Sequence, residues 1–109
     1  MTVYVDPLAS WGWRLRGHQV QSCHLFSDTV ELDALHDLAA RIGMKRTWFQ
    51  DKVTAPHYDL TPSRRALAVA AGAVEVDRRG AAAIWRMRRE FVEALEQEQR
   101  WARILGGLA

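Results

Sequence analysis

Two helical segments stand between the second and third strand-like segments of this chain, and that order constrains the fold more than any other feature. Thr2 to Asp6, TVYVD, alternates and is β-branched or aromatic, so it reads as a strand stopped by Pro7. Gln19 to Ser27 contains the apolar run CHLF and reads as a second strand. It sets Val20, Ser22, His24 and Phe26 on one face and Gln21, Cys23 and Leu25 on the other. Asp28 to Ile42 is the clearest helix. Asp28 stands in capping position with Glu31 three residues on, Leu32, Leu35, Leu38, Ala39 and Ile42 recur at helical spacing, and Gly43 offers a stop. A second helix begins at Thr61, with Pro62 in its first position, and ends at Gly72. Ala73 to Asp77, AVEVD, is a third short strand. A connection that long between strands is naturally a right-handed crossover. The expected fold is α/β: a small three-stranded, partly parallel sheet with helices, plus a long C-terminal helix.

That last helix runs from about Ala81 to Leu105, with a stripe of Ile84, Met87, Phe91, Leu95, Ala102 and Leu105 broken by Glu98. Residues 1–79 therefore read as a compact core domain and residues 80–109 as an amphipathic appendage. A core of that size cannot bury so long a helix, so its spare apolar surface predicts a homodimer through residues 81–105, or a protein partner. An ordinary helix docked on the sheet is the competing reading.

Charge and cysteine content narrow the classes. Residues 1–79 hold 10 basic and 9 acidic side chains and residues 80–109 hold 5 and 4, so neither part is a basic arm or an acidic tail. Nucleic acid would need Arg14, Arg16, Lys45, Arg46, Lys52, Arg64 and Arg65 gathered on one face. No run of about 18 apolar residues suggests a membrane span. MTVYVDP lacks the basic and apolar regions of a signal peptide, and a single cysteine excludes an internal disulfide; together they point to the cytoplasm.

The chemistry concentrates in Trp48 to Arg65, WFQDKVTAPHYDLTPSRR. A connection of a dozen or more residues without structure of its own is usually a functional loop or a linker, and this one has little of the Gly and Ser of a linker. His57 and Asp59 within it join Asp6, His24 and Asp28 as candidates. Asp6, His24 and His57 could hold a divalent metal, or His57, His24 and Asp59 could supply acid and base. No spacing matches an established metal motif, and Asp28 as a helix cap with His24 as a core histidine is the plain alternative. Arg64 and Arg65 lie in the first turn of the Thr61 helix, where cations oppose the macrodipole unless an anion sits there. That predicts a phosphate site built on Arg64, Arg65 and Thr61, with Tyr58 or Trp48 stacking on a base. The same arginines could instead pair with Asp51 or Asp59. Trp11 and Trp13 are harder to place in a core. Cys23 points away from its neighbour His24 and reads as inert.

The strings MTVYVD, CHLFSDT, WFQDK and PHYDLTPSRRALAVAAGAVEV, spread over residues 1–79, resemble a small bacterial and phage domain family of unknown function. The resemblance implies a compact intracellular domain of this size and supplies no activity. From the residues themselves we expect a domain that binds a phosphate-bearing small molecule of nucleotide type; if it is an enzyme, its chemistry is hydrolysis assisted by a divalent metal. The alternative is a non-catalytic interaction module working through the C-terminal helix.

Overall fold

A computed structural model describes residues 2–107. The long central strand β3 (His18–Ser27) organises it, with β1 (Val3–Val5) and β2 (Ala9–Leu15) antiparallel beside it. Val5 pairs with Leu25 and Ala9 with Ser22, so β1 and β2 follow one another along a single edge of β3. β4 (Tyr58–Leu60) also pairs with Leu25, through Tyr58, and therefore occupies the opposite edge. β5 (Val74–Glu75) runs parallel to β1. The partly parallel character follows the sequence reading, but the sheet has five strands rather than three, and β5 runs antiparallel to β3, so the two helices do not form a crossover between those two strands.

Both missed strands have local causes. β2 carries an exposed Trp11, a half-buried Trp13 and an exposed Arg14, and its register against β3 shifts between Ser10 and Arg14. Gly12, at φ 82°, sits inside that bulge, where other residues would be strained. β4 is only three residues long and lies within the segment read as a loop.

Cross-strand partners share a face of the sheet, and alternate residues of one strand do too. Val3, Val5, Cys23, Leu25, Tyr58 and Leu60 thus point to one side and form the core. Two helices cover it: α1 (Asp33–Arg41), through Leu35, Leu38 and Ala39, and α2 (Pro62–Ala70), through Ala68. α1 begins later than expected, with Leu32 as an uncapped N-terminus. Asp28 is no helix cap. Its carboxylate accepts the Thr2 N–H at 3.1 Å and the Tyr4 hydroxyl at 3.3 Å, clipping β1 to the end of β3.

The opposite face is covered only in part. α3 (Arg78–Gly106), capped by Asp77 through the Gly80 N–H, lays Trp85 against Phe26 and His24, with ring centroids 4.9 and 5.4 Å away. One turn on, buried Arg88 donates to the Thr29 carbonyl at 3.0 Å and, at 3.5 Å, to those of Val30 and Val53. Past Arg88 the helix leaves the body and exposes Phe91, Trp101, Ile104 and Leu105. The described chain is 60 Å long and 25 Å across.

Candidate functional site

The uncovered part of that face holds the titratable cluster, and strand register explains why. His24 on β3 and Asp59 on β4 are direct cross-strand partners, so both project from the side opposite the core. His57 lies two residues before Asp59, which returns it to the same side. It is anchored by a bridge to Gln50, with backbone N–H···O bonds of 2.9 and 3.1 Å in both directions. Tyr58, between them, must face the core.

Each imidazole is held through Nδ1 and turns its Nε2 toward Asp59. His24 Nδ1 donates to Asp6 Oδ2 at 2.7 Å, while Asp6 Oδ1 accepts the His24 backbone N–H at 2.6 Å. His57 Nδ1 donates to the Ala55 carbonyl at 2.7 Å. Both Nε2 atoms therefore carry a lone pair in the neutral rings, and both turn toward Asp59 Oδ1, at 3.9 Å from His24 and 3.4 Å from His57. The other Asp59 oxygen accepts from Gln50 Nε2 at 2.6 Å. The three ligand atoms lie within 4.8 Å of one another. Ligands about 2 Å from a zinc ion stand roughly 3.3 Å apart at tetrahedral angles, so small side-chain shifts would close the set.

Electrostatics couple the cluster. Burial works against a charged His57, but the bond to Asp59 and the Ala55 carbonyl outweigh it, and its pKa lies above the usual histidine value. Asp59 is held below the ordinary carboxylate range, chiefly by the His57 bond acting against burial.

The cluster forms part of the floor of a cleft of about 1160 Å³. Trp11, Trp13 and Trp48 line it, with Lys52, Thr61 and Arg64 at the side of β4 and α2. Trp11 is fixed by its indole N–H on the Ser22 carbonyl at 3.2 Å and meets the His24 ring edge-on at 5.2 Å. The guanidinium of Arg64 lies 5.6 Å from the Trp48 ring centre and donates to the Ile42 carbonyl at 2.6 Å. Gly43 makes room for it, since a Cβ there would meet Arg64 Nη1 at 2.9 Å.

Of the expected site residues, His24, His57, Asp59, Trp48, Thr61 and Arg64 meet at this cleft. Asp6 buttresses His24 and leaves the third ligand position to Asp59. Two residues lie elsewhere. Tyr58 is 1 % exposed in the core, its hydroxyl 2.8 Å from His36 Nδ1, because strand alternation sends it away from His57 and Asp59. Arg65 donates to the Asp6 carbonyl at 3.0 Å and pairs with Glu75 at 2.8 Å, tying α2 to β1 and β5. Thr61 Oγ1 accepts the Arg64 N–H at 3.3 Å, so the helix start is partly satisfied by its own cap. As site residues, Gln50, Lys52 and Trp85 escaped the sequence reading, where Lys52 stood only among the cations of a nucleic-acid surface. Only the pairing of the Gln50 segment with His57 brings the first two near, and Trp85 reads as ordinary helix stripe.

A small mixed α/β domain with an open cleft over two histidines and an aspartate is the class that fold and site define. The chain belongs to a protein family of unknown function (DUF4031), whose sequence pattern matches residues 3–89. That span ends just past Arg88, where α3 leaves the body. No curated protein and no solved structure matches the chain.

Proposed function

We propose that this protein is a metal-dependent hydrolase of phosphate esters of the nucleotide kind. The observation that carries the reading is the convergence of His24 Nε2, His57 Nε2 and Asp59 Oδ1, each imidazole oriented through its other nitrogen. A carboxylate behind a ligating histidine is the usual support of a metal site. Two neutral imidazoles and one carboxylate suit zinc, manganese or ferrous iron better than calcium or magnesium. Three protein ligands facing an open cleft leave coordination positions for water and substrate, as catalytic sites require. A metal so held would supply Lewis acidity and lower the pKa of a bound water. Lys52 and Arg64 offer charge for the phosphate, and Trp11 and Trp48 offer faces for a base.

Equilibrium dialysis with elemental analysis tests the reading, followed by phosphate release from a nucleotide panel. One equivalent of zinc or manganese in the parent chain, lost in His57→Ala and in His24→Ala, supports it. No stoichiometric metal in the parent chain overturns it. Metal and nucleotide binding without turnover would mark a binding protein with the same pocket.

A second reading rests on α3. Met87, Phe91, Trp101 and Leu105, all more than half exposed, fall on one seam with Ile84, Ala94 and Glu98 at alternating steps of three and four. That is the spacing of a helix that packs against another of its own repeat, here a second copy of the chain. Sedimentation of the full chain against Phe91→Ser/Trp101→Ser decides it: a dimer that becomes a monomer supports self-association.

A further inference from the structure

The cleft is larger than one nucleotide needs. At about 1160 Å³ it exceeds the roughly 300–1,000 Å³ usual for small-molecule sites. Its lining extends from His24, His57 and Asp59 past Trp11 and Trp13 to Leu15, at the outer end of β2. Ser10 pairs with Gln21 and Leu15 with His18, so at about 3.4 Å per residue along β3 this stretch of β2 covers roughly 10 Å, against about 3.4 Å per stacked nucleotide of a strand.

What lines it is as informative as its length. Trp11 is 56 % exposed and Trp48 is 43 % exposed, so two large rings face solvent over the cleft instead of filling the core. Trp11 is held in place by the Ser22 carbonyl, and Trp48 has both Arg64 and Lys45 at its ring, at 5.6 and 5.5 Å. The segment carrying Trp48 adds Arg46 and Lys52 to Lys45, against one acid, Asp51, and Arg14 and Arg16 stand exposed at the hairpin end beside Leu15. Of the seven cations that a nucleic-acid surface would need, Lys52 and Arg64 line the cleft and Lys45 reaches the Trp48 ring, whereas Arg65 is drawn away by Glu75 and the Asp6 carbonyl. Fixed aromatic faces flanked by backbone-tracking cations are how proteins hold unpaired strands, because every base has a face to stack.

We propose that the ligand of this cleft is a single-stranded nucleic acid, with successive bases on Trp48, Trp13 and Trp11 and a phosphodiester brought over His24, His57 and Asp59. This names the substrate class of the phosphate-ester reading and rests on it, but binding of the strand needs no metal.

The test is fluorescence anisotropy of the full chain with labelled oligothymidylate and oligouridylate of about twelve residues, within the site sizes such grooves occupy. It is run in chelator, with thymidine and uridine monophosphate and a duplex as competitors. The strand should bind, with the mononucleotides and the duplex competing at least about 100-fold more weakly. The logarithm of affinity should fall with that of salt by about 0.7 for each phosphate neutralised. Trp48→Ala and Trp13→Ala should each weaken binding about 5- to 150-fold, while Trp48→Phe keeps most of it. Mononucleotide competing as well as the strand, equal binding of duplex, indifference to both tryptophans in folded variants, or no strand binding overturns the proposal. Metal content of the parent chain separates the two readings: a chain that binds the strand but no metal fails only the hydrolase, and one that takes up metal but binds no strand fails only this proposal.

Discussion

His24 and Asp59 stand opposite one another across β3 and β4, and their Nε2 and Oδ1 atoms are 3.9 Å apart over the floor of the cleft. This pairing makes the site a property of the sheet rather than of a mobile loop. Once the hydrophobic alternation of Cys23, Leu25, Tyr58 and Leu60 commits one face to the core, His24, His57 and Asp59 are carried to the other. A one-residue slip of β4 would bury both polar groups and expose Tyr58, so core packing and site geometry enforce the same register.

Asp6 is the positioning residue of this arrangement. Asp6→Asn keeps an acceptor for the His24 N–H but removes the carboxylate behind Nδ1. The expected outcome is metal affinity weaker by about 10–100-fold with the fold retained. Competition against a chromogenic chelator, with circular dichroism as control, measures it. Unchanged affinity would show that Asp6 does not act through His24.

Cys23 should be silent to thiol reagents. It is fully buried on the core face, and burial, reinforced by Asp6, pushes its pKa up to about 12. At pH 8 the folded protein should take up no label, and in denaturant it should take up one equivalent. Rapid labelling of the native chain would contradict the packing described.

The helices were legible because apolar spacing is a local signal. Leu35, Leu38 and Ala39 repeat at helical intervals, and Thr61–Pro62 marks a start that the structure keeps. Of the site, His24, His57 and Asp59 were readable by residue type, but which carboxylate completes the set was not. Asp6 and Asp59 flank His24 on opposite edges of β3, and only pairing register tells them apart. Arg65 misled for a related reason. Its neighbour Arg64 reaches the cleft, and one step along a helix turns a side chain by about 100°, enough to send Arg65 to Glu75. β2 was hidden because its tryptophans line a cleft instead of a core and its Arg14 faces solvent.

The stability of the metal-free protein should carry a histidine signature at acid pH. Burial, with Arg46 nearby, depresses the pKa of His36, whose Nδ1 meets the Tyr58 hydroxyl. The unfolded chain then binds the proton more readily, so this contribution is intact above about pH 6.5 and is lost as pH falls from there through the folded value. His57 acts oppositely: its raised pKa contributes stability that is full below about pH 6.5 and lost as pH rises through the folded value. The difference in melting temperature between the parent chain and His36→Gln isolates the first effect, since glutamine can still accept from Tyr58 without titrating. That difference should shift in favour of the variant as pH falls below 6.5. Parallel curves across that range would refute it.

The first turns of α3 belong to the body of the domain, and this bears on where the core ends. Trp85 covers Phe26 and His24, and Arg88 satisfies carbonyls of Thr29, Val30 and Val53, two loops distant in sequence. Arg88→Ala removes a charged donor from a buried site and should cost about 2–4 kcal/mol, a fall in melting temperature of roughly 10 °C or more. A chain ending at Arg79 loses both contacts and should melt broadly or not fold. One ending at Leu95 keeps them and should melt close to the full chain, because among the described residues past Arg88 only Val92 and Leu95 are even partly covered. Calorimetry on the three lengths decides the boundary. Equal melting of the shortest chain would make residues 1–79 self-sufficient and reduce Trp85 and Arg88 to surface contacts.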